Sequence, residues 1–440
     1  MQGIIFHIDM NSYFATVEQQ ANPHLRGRPV GVCEHLGGII IAASVEAKML
    51  GIGTGTPVWE ARKIYPKIVL LKVDPPKVRF ITERFLKIFS DYTDLVERYS
   101  IDEAFLDFGI KTKILKDTCH PGLDPGSTRA RKDPDCNQDD STIWSDAILV
   151  ALEIKQRIRR EIGEWLTCSV GIGPNKLIAK IASNLQKPDG LTVVRPQDIE
   201  ELYDKLSLTD IPGINVRMQA RLSAHGIYTV KDLSRYPESK LRAEFGLVGH
   251  YLKQLGNFKS TRGIVLPGDE PVKSMGHAFT MSRASSDVRE IEALIFKLSE
   301  KVARRLRQRN MWGSVVSCYV RFAKEKVPFS QRREPSQNFG RSHRIKDFIN
   351  DGRLISREAI KIFNSSGIKA PVRMIGISVS GLVENFLDEP LFRRYKKSQW
   401  ALDAMDKVND KYGEFTLRRA ALLDAKHLAG DTVGFGRLAR

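Results

Sequence analysis

The sequence predicts a multidomain chain of the α/β (α+β) class, on three observations. Its 440 residues exceed one ordinary core, so roughly two to four domains are expected. The first half alternates short apolar strands with amphipathic helices. Two polar, turn-forming stretches interrupt the pattern: Lys187-Pro188-Asp189-Gly190, and the segment from Gly256 towards Lys273 with Pro267, Gly268 and Pro271.

In chain order, Ile4–Ile8 reads as a buried strand and Tyr13–Gln20 as a helix start. Leu95–Tyr99 and Ala104–Phe108 read as paired strands, and Leu166–Ile172 as another. Leu206–Leu233 sets Ile211-Pro212-Gly213-Ile214-Asn215 between two helical stretches, which predicts a small helical domain. A second α/β segment, rich in Lys and Arg, runs from Lys273 to Val383. In the tail, Ala401, Met405, Val408 and Tyr412 recur at helical spacing and predict an amphipathic helix. Asp117–Ser141 departs from this order. It holds Pro121, Gly122, Pro125, Gly126 and Pro134 with few large apolar residues, so a flexible excursion is expected there.

The formal net charge of +17 calls for a polyanionic partner, nucleic acid or an anionic membrane. No apolar run reaches spanning length, and Met1–Ile8 lacks the basic start and long apolar stretch of a signal peptide. No membrane is therefore expected. Cys33, Cys119, Cys136, Cys168 and Cys318 are scattered and form no CxxC pair, which argues against a disulfide framework or zinc site and for a cytoplasmic location.

Three short stretches carry chemistry. Asp9 follows an apolar strand and precedes a helix that Asn11 or Ser12 could cap. Asp102 and Glu103 lie between two strands; adjacent strand residues face opposite ways, so both reach one site only if the chain turns there. Alone, such acids read as solvated surface. Three carboxylates on two strands are also what magnesium ions need when they must coordinate substrate phosphates as well. Gly171-Ile172-Gly173-Pro174-Asn175-Lys176 reads as strand, tight turn and helix start. There, free amides and Lys176, with Lys180 a turn later, could meet a phosphate.

Taken in order, Phe6–Glu18, Ser100–Phe108, Ser169–Gly190, the Ile211-Pro212-Gly213 hairpin and Lys273–Thr280 resemble Y-family DNA polymerases of the DinB, or DNA polymerase IV, type. The resemblance covers roughly residues 1–385, apart from the excursion. It implies a right-hand architecture: palm over 1–16 and 77–184 with a 117–141 insertion, fingers over 17–76, and a helix-hairpin-helix thumb over 185–255. A linker over 256–272, a little finger over 273–384 and a tail over 385–440 complete it. It implies template-directed, error-prone translesion DNA synthesis by two-metal phosphoryl transfer, on primer-template DNA with deoxynucleoside triphosphates and two Mg2+ ions. A monomer is expected.

By the same resemblance, Asp9, Asp102, Glu103 and the Met10 carbonyl fall on metal ligands. Asn11, Ser12, Tyr13, Phe14 (the steric gate against ribonucleotides), Lys48 and Lys176 fall on nucleotide contacts. The thumb hairpin at Gly213, Ile214 and Asn215 would hold a DNA phosphate through backbone amides. Lys273, Arg283, Arg321, Arg332, Arg333 and Arg344 are candidate DNA-backbone contacts in the little finger. The chain departs from the family at Ser44-Val45-Glu46-Ala47-Lys48, where Tyr and Arg commonly grip the triphosphate, so weaker nucleotide binding is expected. Asn215 replaces the hairpin's second glycine, at a place where a left-handed conformation is expected. In the tail, Leu391-Phe392 retains the apolar pair of a sliding-clamp motif without its glutamine. A polymerase-shaped accessory protein would have lost the carboxylates, and a nucleotide cyclase would lack the hairpin and the basic domain.

Overall fold

The computed structural model describes residues 3–109, 140–259, 263–266, 269, 271–323, 338–367, 370–384, 393–423 and 429. The chain opens with β1 (Ile5–Met10) and α1 (Tyr13–Ala21). There follow β2 (Val30–Cys33), β3 (Ile40–Ala43), α2 (Val45–Met49), α3 (Val58–Ile64), β4 (Val69–Lys72) and α4 (Pro75–Ser90). Next come β5 (Val96–Arg98), β6 (Glu103–Asp107), α5 (Asp140–Arg157), β7 (Cys168–Gly173), α6 (Lys176–Leu185) and β8 (Leu191–Val193).

The first sheet has the order β5-β6-β1-β7-β8. Strand alternation divides its residues cleanly. Phe6, Ile8 and Met10 enter a core shared with α1, α4 and α5 through Phe14, Phe85, Phe89 and Ala151. Ile5 joins Phe105 and Ala179 on the α6 side, and the two-residue period carries His7 and Asp9 to that face. Helix α6 lies so close that a Cβ on Gly171 would meet the Ala179 carbonyl oxygen at 2.1 Å; only glycine fits there. A three-stranded sheet, β3-β2-β4, is backed by α2 and α3 around Ile40, Ala47, Ile52 and Val58.

A helical unit follows: α7 (Ile199–Lys205), α8 (Val216–Ser223), α9 (Val230–Arg235), α10 (Glu238–Phe245) and α11 (Leu247–Gly256). Its core, with Leu208, Ile211, Ile214, Leu233 and Leu252, is continuous with Ile178 and Ile181 of α6. The last unit comprises β9 (Ser274–Ser285), α12 (Val288–Gln308), β10 (Met311–Phe322), β11 (Asn338–Ile349), α13 (Gly352–Asn364), β12 (Val372–Glu384) and α14 (Arg393–Tyr412). Its sheet, β11-β10-β12-β9, carries α12 and α13 on one face.

Several sequence expectations are corrected. Strand β1 runs to Met10, so Asp9 lies within it rather than after it. The excursion expected over Asp117–Ser141 lies outside the described residues up to position 139, as do Cys119, His120 and Cys136; its last two residues already belong to α5. The tail helix exists and Met405 and Val408 of the expected stripe are half-buried, but its buried residues are Leu402 and Asn409, while Ala401 and Tyr412 are exposed. The stripe is rotated because charge selects it: Arg307 grips Asp406 at 2.6 Å and 2.8 Å, and Arg304 reaches Asp410 at 2.5 Å. No described helix is long and apolar enough to cross a membrane.

Candidate active site

At the end of the first sheet, Asp9 on β1 stands directly opposite Glu103 on β6. The chain bends at Ile101–Asp102 before β6 begins, so Asp102 is not forced to the far face. The Met10 N–H donates to the Asp102 carbonyl at 2.9 Å. A second tie comes from α4: Thr82 Oγ1 donates to the Ile101 carbonyl at 2.8 Å, beside a Tyr13 hydroxyl that donates to the Val78 carbonyl at 2.9 Å. Tyr13 therefore supports the bend from inside the core. Burial raises its phenol above the ordinary range.

The three acids differ electrostatically. Burial raises Asp102, and the negative charges of Asp9 and Glu103 add to this, while Ser100 Oγ donating to Oδ1 opposes it. Burial alone would also raise Glu103. The His7 N–H at 2.9 Å and the Lys180 ammonium instead hold its carboxyl down at about 2. His7 is fully buried, bridges Glu103 to Ser183 (2.7 Å), and is lowered chiefly by burial, so its neutral form prevails. The sequence reading passed over His7, although a period of two from Asp9 places it on the same face.

Cations gather at the same place: Lys48, which was expected there, and Lys187, which was not. Lys187 Nζ lies 2.8 Å from Asp9 Oδ1, and Lys48 Nζ donates to Ser12 Oγ at 2.8 Å. Burial, then the charge of Lys187, lowers Lys48. Lys176 is turned elsewhere: its ammonium is buried, 2.5 Å from Glu97, donates to the Gly263 carbonyl at 3.2 Å and lies over the Phe105 ring. As the first residue of α6 it faces β5, and Lys180, one turn on, meets Glu103 instead. Lys187 was missed because the loop carrying it reads as a domain break.

Neither Asn11 nor Ser12 caps α1 through its side chain. Ser12 holds the cap position in a left-handed conformation (φ 48°) without a side-chain cap bond. Asn11 is buried and turned inward, accepting from the Asp189 N–H at 2.8 Å and donating to Ser169 Oγ at 2.9 Å, so its side chain is not offered to a nucleotide. Phe14 is buried edge-on to Tyr13, their centroids 5.8 Å apart.

In the helical unit, the left-handed residue of the hairpin is Gly213 (φ 103°). Asn215 is extended and caps α8 by accepting from the Met218 N–H at 2.9 Å, which corrects the left-handed expectation. Ile214 is a core residue, and its N–H closes a turn on the Ile211 carbonyl at 3.0 Å. On the four-stranded sheet, Arg321 and Arg344 project from the face away from α12 and α13. Opposed small residues pave that face, with Ser317 opposite Ser342, and Gly376 opposite Ala278. Lys273 is exposed, and Arg283 pairs with Glu290 at 3.2 Å. Arg332, Arg333, Leu391 and Phe392 lie outside the described residues.

Among the described residues, no three His, Cys, Asp or Glu side chains converge as a closed ligand set. Each acid has its own partner: Lys187 on Asp9, Ser100 on Asp102, and His7 with Lys180 on Glu103. Half-buried carboxylates on neighbouring strands suit hard divalent ions, which take carboxylate oxygens.

Residues 8–184 match the impB/mucB/samB family and residues 272–387 match the C-terminal domain of that family. DNA polymerase IV of Moorella thermoacetica is 35% identical, over 94% of this chain and 95% of its own length. DNA polymerase IV of Pelotomaculum thermopropionicum is 32% identical over 96% of both. DNA polymerase IV 1 of Bacillus subtilis is 31% identical over 96% of this chain and 93% of its own. Among solved structures, a Y-family DNA polymerase chimera of Dbh and Dpo4 superposes with a TM-score of 0.69 at 24% identity. It covers 87% of this chain and 100% of its own, a likeness of fold.

Proposed function

We infer the residue roles below from one premise: this chain belongs to the impB/mucB/samB family and is a Y-family DNA polymerase of the DNA polymerase IV type. It is a DNA-directed DNA polymerase that carries out metal-dependent translesion synthesis on primer-template DNA with deoxynucleoside triphosphates. The observation that carries the residue assignment is the placement of Asp9 opposite Glu103 across β1 and β6, with Asp102 at the adjoining bend and lysines against Asp9 and Glu103.

Asp9, Asp102, Glu103 and the Met10 carbonyl would hold two Mg2+ ions. Bound there, the ions would favour ionisation of the primer 3′-hydroxyl and neutralise charge on the departing pyrophosphate. The protein's part is positioning. His7 and Lys180 keep Glu103 ionised and aimed, and Ser100 orients Asp102. Lys187 and Lys48 supply the positive charge that a triphosphate needs beside Asp9, in place of Lys176. Phe14 closes the space beyond the sugar, excluding a ribose 2′-hydroxyl by contact. With Val45 in place of a hydrogen-bonding Tyr, nucleotide affinity rests on these lysines.

The first sheet with its helices is the palm and the three-stranded sheet the fingers. The helical unit is the thumb and the last sheet the little finger; β8 (Leu191–Val193) completes the first sheet from beyond the 184 boundary expected for the palm. The Gly213–Asn215 hairpin and the Arg321 and Arg344 face hold DNA backbone without reading sequence. Leu391-Phe392 docks on a sliding clamp, and the enzyme is a cytoplasmic monomer.

Primer extension with magnesium tests the assignment. The parent extends a primer and Asp102→Ala/Glu103→Ala does not. Extension by the double variant would remove these acids from the reaction, and none by the parent would remove the activity.

A further inference from the structure

The loop that carries Lys187 is held by two buried side chains, Asn11 just beyond β1 and Ser169 on β7. Asn11, two residues beyond Asp9, accepts from the Asp189 N–H at 2.8 Å and from Thr167 Oγ1 at 3.2 Å, and donates to Ser169 Oγ at 2.9 Å. Ser169 Oγ also accepts from the Gly190 N–H at 3.3 Å and lies 3.5 Å from the Gln186 carbonyl. The contacts close a ring: Asp9 leads along the chain to Asn11, one residue past the end of β1, Asn11 to Asp189 by hydrogen bond, Asp189 to Lys187 along the loop, and Lys187 back to Asp9 at 2.8 Å. Across the loop, Lys155 meets Asp189 at 3.0 Å and donates to the Gly190 carbonyl at 3.0 Å. Arg159 also pairs with Asp189, and the Val170 N–H donates to the Gly190 carbonyl at 3.0 Å; Asn11 and Ser169 are the side chains that accept from the loop's own amides, at Asp189 and Gly190.

We propose that Asn11 is a positioning residue for nucleotide binding: it touches no substrate, and it holds the 186–190 loop so that Lys187 stands over Asp9, where the triphosphate is received. The physical basis is preorganisation. A lysine side chain free to explore its rotamers must be ordered when nucleotide binds, whereas a loop gripped at two amides presents it already placed. Asn11 suits the task because it accepts and donates at once without adding charge beside Asp9 and Asp189. The proposal rests on the assignment of Lys187 to the triphosphate.

A double-mutant cycle on the full chain tests both, reading nucleotide KM, kcat and primer-template affinity. Lys187→Ala raises nucleotide KM about tenfold, the equivalent of one charge-assisted hydrogen bond. Asn11→Ala raises it about fivefold with a smaller change in kcat, and leaves primer-template affinity as in the parent. In the Lys187→Ala background, Asn11→Ala has no further effect on KM, because the group it positions is gone. An equal fivefold rise in that background overturns the role of Asn11 alone. An unchanged KM in Lys187→Ala overturns the assignment of Lys187, and the proposal with it. Ser169→Ala, which loosens the same loop from its other amide, gives a smaller rise that vanishes in the same background and keeps the test open if Asn11→Ala does not fold.

Discussion

Replacing Lys176 by methionine separates stability from nucleotide binding. The Lys176–Glu97 pair is 2.5 Å long, with side chains 9% and 1% exposed. Glu97 also accepts from the Val265 N–H at 2.8 Å, so the pair ties β5, α6 and the 263–266 segment together. Methionine keeps the length and helix preference of lysine but removes the Lys176 ammonium from the buried carboxylate. Breaking a buried pair in this way costs about 3–5 kcal/mol, and the partners Glu97 retains, the Val265 N–H among them, set the expectation at the lower end, about 3 kcal/mol. At roughly 2–4 °C per kcal/mol, the transition of this unit falls by roughly 6–12 °C. Thermal unfolding followed by the fluorescence of Trp144 and Trp165 reads that shift, and steady-state kinetics at 25 °C read nucleotide KM, expected within about twofold of the parent. Lys176→Met/Glu97→Leu recovers most of the loss, because a buried pair is worth little against apolar groups of similar size. A tenfold rise in nucleotide KM with an unmoved transition would refute the reasoning and return Lys176 to the triphosphate.

Two further outcomes follow from the same geometry. The folded Glu103 carboxyl, at about 2, lies below its ordinary value of 4.5, so its stabilisation is fully present above about pH 4.5 and is lost as pH falls through about 2. In chelator, urea unfolding at pH 6 and pH 3 should show the parent losing about 2 kcal/mol more than Glu103→Gln, and parallel losses would exclude the His7 and Lys180 contacts. Arg321→Ala and Arg344→Ala should each lower the slope of log affinity for primer-template against log salt by about 1, with little change between DNA sequences; an unchanged slope would take that face off the DNA.

Much of the site was legible because it rests on local pattern. The apolar strand before Asp9, the paired strands around Asp102 and Glu103, and the apolar spacing after Lys176 each announce an element, and strand period places side chains by parity. His7 was legible on that ground too, since any residue two before Asp9 shares its face. The tail helix was legible in existence but only partly in orientation, because arginines on α12, about a hundred residues earlier in the chain, pair with Asp406 and Asp410 on it.

The sequence by itself determined the fold class and marked Asp9, Asp102 and Glu103 as acids at the ends of neighbouring strands, since hydrophobic period and motif order are properties of the chain alone. Only the tertiary structure decided which cations serve those acids. Lys176, Lys180 and Lys187 are indistinguishable as letters. They part company because β5 presents a buried Glu97 to the first, β6 presents Glu103 to the second, and Asn11 fastens the loop that turns the third back onto Asp9. Charge partners come from strands and loops that sequence distance does not rank, and an ammonium on a flexible stem goes to whichever carboxylate the packed elements bring within reach.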